Sequence, residues 1–130
     1  MKTVAFDTNA ILAVLFKRSL KSKAEGILSD AKKGIVGFFI PLMLFAELEW
    51  VLRSVYKKEK SYIIGLFRAL LAIKTCQTND MPLLVKIIDC FEKTFISFVD
   101  ATILSDVNSR QIDVFLTKDK KLEKVFSAFS

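Results

Sequence analysis

The most informative stretch of the chain is residues 3–9, which read TVAFDTN. Its first four residues favour a β-strand, and the Asp-Thr-Asn that follows is a cluster preferred at helix N-termini. Apolar residues then recur with helical spacing over residues 11–15. The stretch therefore predicts a strand that leads directly into a helix.

The rest of the chain alternates between short β-prone runs and longer helical patterns. Further strands are predicted at residues 35–40, 73–76 and 113–117. Helices are predicted at residues 19–33, 42–56, 62–71, 80–91, 97–108 and 122–129. This alternation, with no linker or internal repeat, predicts an α/β fold in one domain over residues 1–130. We expect a three-layer α/β/α arrangement with a central parallel sheet of four to five strands.

The composition restricts the possible chemistry. The chain has 130 residues and no histidine, with 20 lysines and arginines against 14 aspartates and glutamates. Without imidazole there is no Ser-His-Asp triad, no histidine acid–base catalysis and no histidine zinc site. Any catalysis must rest on carboxylates, hydroxyls, lysines or a bound metal. The formal net charge of +6 suits a polyanionic partner such as nucleic acid, although it would also simply aid solubility.

Apolar residues make up 52% of the chain, and the mean hydropathy is +0.39. The longest uncharged apolar run, residues 35–46, is interrupted by Pro41 and falls short of the roughly 20 residues of a membrane span. We therefore expect no membrane segment or signal peptide, and a cytoplasmic protein with reduced cysteines. The apolar sides of residues 42–56 and 62–72 predict a homodimer, with a thick monomer core as the alternative.

Two acidic residues follow predicted strands directly. Asp7 comes after the first strand and Asp119 after the last one. In a parallel sheet the functional crevice lies beyond the carboxyl ends of the strands, which favours both residues as site residues. Alternatively, each carboxylate only caps the helix that follows it.

Asp100 shares an i, i+3, i+4, i+7 pattern with Ile103, Leu104 and Val107. This pattern predicts a carboxylate on the inward face of its helix, where an unpaired charge is costly. Alternatively, Asp100 completes a capping box with Ser97.

The helix predicted at residues 42–56 carries two more acids. Glu47 borders the inward stripe, whereas Glu49 is predicted to face away and to pair with Arg53 at i+4. The alternative for Glu47 is an edge residue that reaches to water.

The four candidate acids together suggest a metal site. Four carboxylates that converge on one crevice repel each other, and oxygen ligands of this kind suit hard cations such as Mg²⁺ or Mn²⁺.

Four fragments resemble the motifs of the PIN domain family and, within it, the VapC-type toxins of toxin-antitoxin pairs. The fragments are residues 4–9 (VAFDTN), 45–52 (FAELEWVL), 98–101 (FVDA) and 116–119 (LTKD). The resemblance extends over the whole chain. It implies a metal-dependent endoribonuclease that hydrolyses RNA phosphodiester bonds and acts as the toxin of such a pair.

The resemblance also implies the site. Its catalytic and metal-binding residues would be Asp7, Glu47, Asp100 and Asp119, which would hold one or two Mg²⁺ or Mn²⁺ ions. Asn9 and Thr117 would orient these ligands by hydrogen bonds. The implied partners are an RNA substrate and a cognate antitoxin protein.

Two alternative functions remain. One is a PIN-like module that binds RNA or protein without catalysis. The other is a phosphoryl-transfer enzyme or phosphoacceptor that uses Asp7, which is disfavoured because position 9 is Asn and no Walker-type glycine loop occurs.

Basic residues gather in three groups, of which the first and last flank the segments that carry Asp7 and Asp119. These two groups are expected to hold RNA phosphates, while the middle one is interpreted as a solvated face. The groups are Lys17, Arg18, Lys21 and Lys23; Lys57, Lys58 and Lys60; and Lys118, Lys120, Lys121 and Lys124.

Overall fold

The computed structural model describes residues 1–16 and 19–129, without the side chain of Phe129. The chain divides into a first unit, Met1–Asn79, and a second unit, Asp80–Ser130. The first unit contains β1 (Thr3–Ala5), α1 (Thr8–Phe16), α2 (Lys21–Lys32), β2 (Gly37–Phe39), α3 (Leu42–Ser54), α4 (Lys60–Leu71) and β3 (Cys76–Gln77). The second unit contains α5 (Met81–Lys93), α6 (Phe98–Asn108) and α7 (Lys120–Phe129).

The first unit is built on a parallel sheet in the order β1-β2-β3. Thr3 pairs with Gly37, and Phe38 pairs with Cys76. Glycine is needed at position 37 in this strand pair because a Cβ atom there would lie 2.6 Å from Oγ1 of Thr3. An α/β fold with a parallel sheet is therefore present, as the alternating pattern predicts.

Helices α3 and α4 bury one stripe each. The α3 stripe includes Phe45 and the α4 stripe includes Phe67, and their rings meet edge to face with centroids 5.0 Å apart. Neither ring is exposed to solvent. Rings in this orientation add to the stabilisation from apolar burial, so the pair fixes α3 against α4.

The second unit is helical, and its first two helices have side-chain caps. The backbone N–H of Leu83 donates to Oδ1 of Asp80 at 3.0 Å at the start of α5. The N–H of Asp100 donates to Oγ of Ser97 at 3.0 Å at the start of α6. These are the cap residue types that the sequence places before each apolar run, which is why both helices begin where predicted.

The strand predicted at residues 113–117 does not form. The segment has no regular secondary structure, and Val114 and Leu116 are 74% and 94% exposed. A β-prone run becomes a strand only when a neighbouring strand pairs with it, and three strands are found in the described ranges. The expected sheet of four to five strands is therefore not confirmed.

Membrane insertion finds no support among the helices of the described ranges. None of them combines the length and the apolarity that a bilayer crossing requires.

Candidate acidic site

Asp7 stands between the end of β1 and the start of α1. Its Oδ1 atom accepts a hydrogen bond of 2.9 Å from the backbone N–H of Ala10. The helix-capping interpretation of Asp7 is therefore confirmed. The residue is nevertheless exposed, and the cap engages only one of its two carboxylate oxygens. Asp7 can thus cap α1 with Oδ1 and present Oδ2 to a ligand.

The backbone hydrogen bonds of the sheet continue one residue beyond the carboxyl ends of β1 and β2. The N–H of Phe6 donates to the carbonyl of Phe39 at 3.0 Å, and the N–H of Ile40 donates to the carbonyl of Gln77 at 2.9 Å. The first turn of α3 is held by Asn79, whose Oδ1 accepts from the N–H of Leu42 at 2.8 Å. The carboxyl ends of β1 and β2 therefore lie side by side and place α1 and α3 next to each other.

Asp7 and Glu47 line one cavity of about 360 Å³ at this edge. We call it the acidic cavity. The structure thus brings together two of the four predicted acids, with Asn9 beside them. The complete lining is Phe6, Asp7, Thr8, Asn9, Pro41, Met43, Leu44 and Glu47.

The prediction for Glu49 is wrong about its exposure and correct about its ion pair with Arg53. Glu49, predicted to face away from the core, is only 3% exposed, whereas Glu47 is exposed. The buried stripe of α3 is wider than its apolar residues suggest and includes Glu49. The stripe can hold this charge because the predicted partner, Arg53, reaches it.

Arg53 reaches Glu49 with two nitrogen atoms. Its Nε donates to Oε2 at 2.7 Å and its Nη2 donates to Oε1 at 3.4 Å. The hydrogen bond, helped by the opposite charge, raises the pKa of the Arg53 guanidinium. Glu49 is therefore occupied by a structural ion pair, which leaves Glu47 as the acid that α3 offers to the acidic cavity.

The sequence interpretation did not identify Met43, which also lines the acidic cavity. Met43 lies four residues before Glu47 on α3, so the two side chains share one face of the helix. This i, i+4 spacing was the signal available in the sequence.

Asp100 lies in the first turn of α6 and is half-buried. The buried face of α6 is rotated about the helix axis relative to the predicted inward face. Ile103, predicted to face inward, is 44% exposed, whereas Ser105 is buried. The buried side of α6 follows Phe98 and Ala101 instead, which places Asp100 at its margin. One half of the predicted capping box is present, because the backbone N–H of Asp100 donates to Oγ of Ser97.

Asp119 is exposed and immediately precedes α7. Its Oδ1 accepts from the N–H groups of Lys121 at 3.0 Å and Leu122 at 3.1 Å, which confirms the helix-capping alternative. Thr117 supports this turn because its Oγ1 accepts from the N–H of Asp119 at 3.0 Å. Thr117 thus orients Asp119 through its backbone.

The acidic cavity fits a hard cation as part of a larger ligand set. Within each unit, the described residues contain no group of three or more acidic or cysteine side chains arranged to hold a metal ion. Mg²⁺ is commonly held by only one or two carboxylates, with waters and substrate phosphates as its other ligands. Asp7 and Glu47 supply such a pair. The convergence of all four acids stays a prediction.

The basic groups differ in their surroundings. Lys21 pairs with Glu25 at 2.6 Å, and the predicted phosphate-binding residues Lys17 and Arg18 lie outside the described residues. In the last group, Lys121 and Lys124 line a second cavity, within the second unit. The role of these groups in holding RNA stays a prediction.

Comparison with known proteins identifies the family. The family model of the PIN domain matches residues 4–126. Searches of curated proteins and of solved structures find no significant match. PIN domains are generally nucleases, and these nucleases generally use divalent metal ions. Because the match covers nearly all of the sequence, the chain belongs to the PIN domain family.

Proposed function

We propose that this protein is a metal-dependent endoribonuclease that hydrolyses RNA phosphodiester bonds. The observation that carries the proposal is the acidic cavity, which Asp7 and Glu47 both line at the carboxyl ends of parallel strands. This is the edge at which open α/β sheets place their ligands. Membership of a family of nucleases supports the same reaction class.

Asp7 and Glu47 are the residues that would hold the divalent cation, Mg²⁺ or Mn²⁺. When bound, such an ion neutralises charge on the phosphodiester and acidifies a water molecule for attack. The bond from Ala10 to Oδ1 fixes the Asp7 carboxylate, so Oδ2 can bind with little reorganisation. The Asn9 side chain lines the same cavity, where its amide N–H groups can donate to phosphate oxygens.

Asp100 and Asp119 are proposed to complete the catalytic and metal-binding set. Both stand at the start of a helix, where backbone N–H groups and the helix dipole favour negative charge. Thr117 is proposed to keep Asp119 in place. The support for these two acids is their match to the motif positions of the family in the sequence.

A role as the toxin of a toxin-antitoxin pair is proposed from the resemblance to VapC-type proteins. It includes action on RNA in the cytoplasm, a cognate antitoxin protein and a homodimer. Expression of the wild-type chain alone should arrest growth of the expressing cells, whereas expression of the Asp7→Asn variant should not. Normal growth with the wild-type chain expressed at the same level would contradict the toxin role but not the nuclease activity.

The nuclease activity is tested on purified protein with single-stranded RNA. Cleavage is expected in Mg²⁺ or Mn²⁺, should stop in EDTA and should return when metal is added back. Mn²⁺ should also raise the Tm of the wild type more than that of an Asp7→Asn, Glu47→Gln double variant. Cleavage that persists in EDTA would contradict the proposal, and RNA binding without cleavage in either metal would favour the non-catalytic alternative.

A further inference from the structure

Trp50 is the single tryptophan of the chain, and it is 55% exposed on α3. It lies three residues after Glu47 and seven after Met43, so the three side chains share one face of the helix. Met43 is also largely exposed, at 76%. The face that carries Glu47 into the acidic cavity thus continues as an exposed aromatic surface.

Packing of the helix does not explain this tryptophan. The buried stripe of α3 consists of Leu44, Phe45, Leu48, Glu49 and Leu52, and Trp50 is not part of it. Met43 and Trp50 are thus two exposed apolar side chains on one face of α3, and adjacent exposed apolar residues beside a cavity are a candidate binding surface. The position next to the acidic cavity indicates which ligand to consider.

We propose that Trp50 stacks against a base of single-stranded RNA whose backbone phosphate lies in the acidic cavity. The proposal rests on the proposed nuclease function and names the substrate feature that the site recognises. Three residues of an α-helix rise about 4.5 Å, so a base next to a phosphate at Glu47 comes within reach of Trp50. Tryptophan stacks on any base, but in a duplex the base faces are already covered.

Positive charge follows the aromatic surface. Lys57 follows α3 after Val55 and Tyr56, adopts a left-handed backbone with φ of 55° and is exposed. The N–H of Lys58 donates to the carbonyl of Leu52 at 2.9 Å and holds this turn against the end of the helix. The Lys58 ammonium lies over the Tyr62 ring, 4.8 Å from its centroid. Glu47, Trp50 and the exposed Lys57 thus follow one another along the chain. Single-stranded nucleic acid is bound by this combination of a stacking platform and positive charge.

The single tryptophan makes the proposal directly testable, because all tryptophan fluorescence comes from Trp50. Wild-type protein in Mg²⁺ is titrated with a single-stranded RNA of about ten nucleotides whose phosphorothioate linkages resist cleavage. Saturable quenching is expected with this RNA, and little quenching with a duplex of the same sequence. Fluorescence anisotropy of labelled RNA measures the affinity independently.

Two substitutions and a control complete the experiment. Trp50→Ala should weaken RNA binding by about 5-fold to 100-fold, whereas Trp50→Phe should retain most of the affinity because it keeps an aromatic face. Ile35, 59% exposed and located before β2 rather than after it, provides the control, and Ile35→Ala should bind like the wild type. Equal RNA affinity of wild type and Trp50→Ala, without quenching, would overturn the proposal.

The outcomes separate this proposal from the nuclease function. If the wild type cleaves RNA in Mn²⁺ but Trp50 is neither quenched nor needed, only the stacking proposal fails. If the wild type neither binds nor cleaves RNA, both fail. A blue shift of the emission with protein concentration alone, together with a doubled mass that Trp50→Ala abolishes, would show that a second copy of the chain covers this face. That result would also overturn the proposal.

Discussion

Arg53 binds the buried carboxylate of Glu49 through its Nε, with 2.7 Å between Nε and Oε2. This ion pair divides the two acids of α3 into different roles. Glu49 is neutralised inside the first unit, and Glu47, two residues earlier, is exposed at the acidic cavity. Substitutions at the two positions should therefore have different effects, the first on stability and the second on activity.

Removal of Arg53 should destabilise the protein. Arg53→Met leaves the Glu49 carboxylate buried without its partner, and we expect the free energy of unfolding to fall by about 1–3 kcal/mol. Urea denaturation measures this change. Arg110→Met is the matched control, because Arg110 pairs at the same spacing with Asp106, whose side chain is 46% exposed, and the substitution should change stability by less than about 0.5 kcal/mol. Equal effects of both substitutions would contradict a structural role for Glu49.

Local signals in the sequence predicted the elements that begin with caps. The β1–α1 junction, the start of α5 and the start of α6 all agree, because Asp7, Asp80 and Ser97 make short-range hydrogen bonds that depend on few other residues.

Features that depend on distant residues could not be predicted in the same way. Residues 113–117 have the composition of a strand, but a strand needs a partner that the local sequence does not specify. The burial of Glu49 likewise depends on what packs against α3, which the helical period alone leaves open. Met43 is different, because its i, i+4 spacing from Glu47 was a local signal in the sequence.

Gly37 should tolerate no side chain. Gly37→Ala brings a Cβ atom within 2.6 Å of Thr3 Oγ1, and we expect a loss of about 1–3 kcal/mol as β1 and β2 move apart. Gly65→Ala on α4 is the control, because its Cβ meets nothing within 4 Å and helix propensity predicts a gain of about 0.5–1 kcal/mol. Thermal unfolding of both variants checks this prediction. A stable Gly37→Ala protein would show that the strands are not packed this closely.

Cys76 should react slowly with alkylating reagents. Burial raises the pKa of its thiol, so less thiolate is present at mildly alkaline pH than in the unfolded chain. Because the pKa of the Cys76 thiol is higher in the folded than in the unfolded chain, its contribution to stability is fully present below the unfolded pKa. This contribution is lost as pH rises from the unfolded pKa through the folded pKa. Iodoacetamide labelling followed by mass spectrometry, with and without urea, measures both pH profiles. Identical profiles would contradict the prediction.

Asp119 should have separable effects on stability and activity. Asp119→Ala removes the two bonds at the start of α7 and should cost about 1 kcal/mol, whereas Asp119→Asn keeps a good N-cap and should cost less. If Asp119 is part of the catalytic set, both variants should lose RNA cleavage. Full activity of Asp119→Asn would restrict this residue to capping. Tm and cleavage rate are measured on the same preparations.

The central claim is that the Asp7 carboxylate serves a metal-dependent cleavage of RNA. The most direct measurement compares the single-turnover RNA cleavage rates of Asp7→Asn and Asp80→Asn in Mn²⁺. Both substitutions keep a residue that caps its helix, so neither should change the Tm appreciably. The account predicts that Asp7→Asn lowers the rate by more than about 100-fold and that Asp80→Asn cleaves like the wild type. An Asp7→Asn variant that cleaves RNA at the wild-type rate would contradict the account.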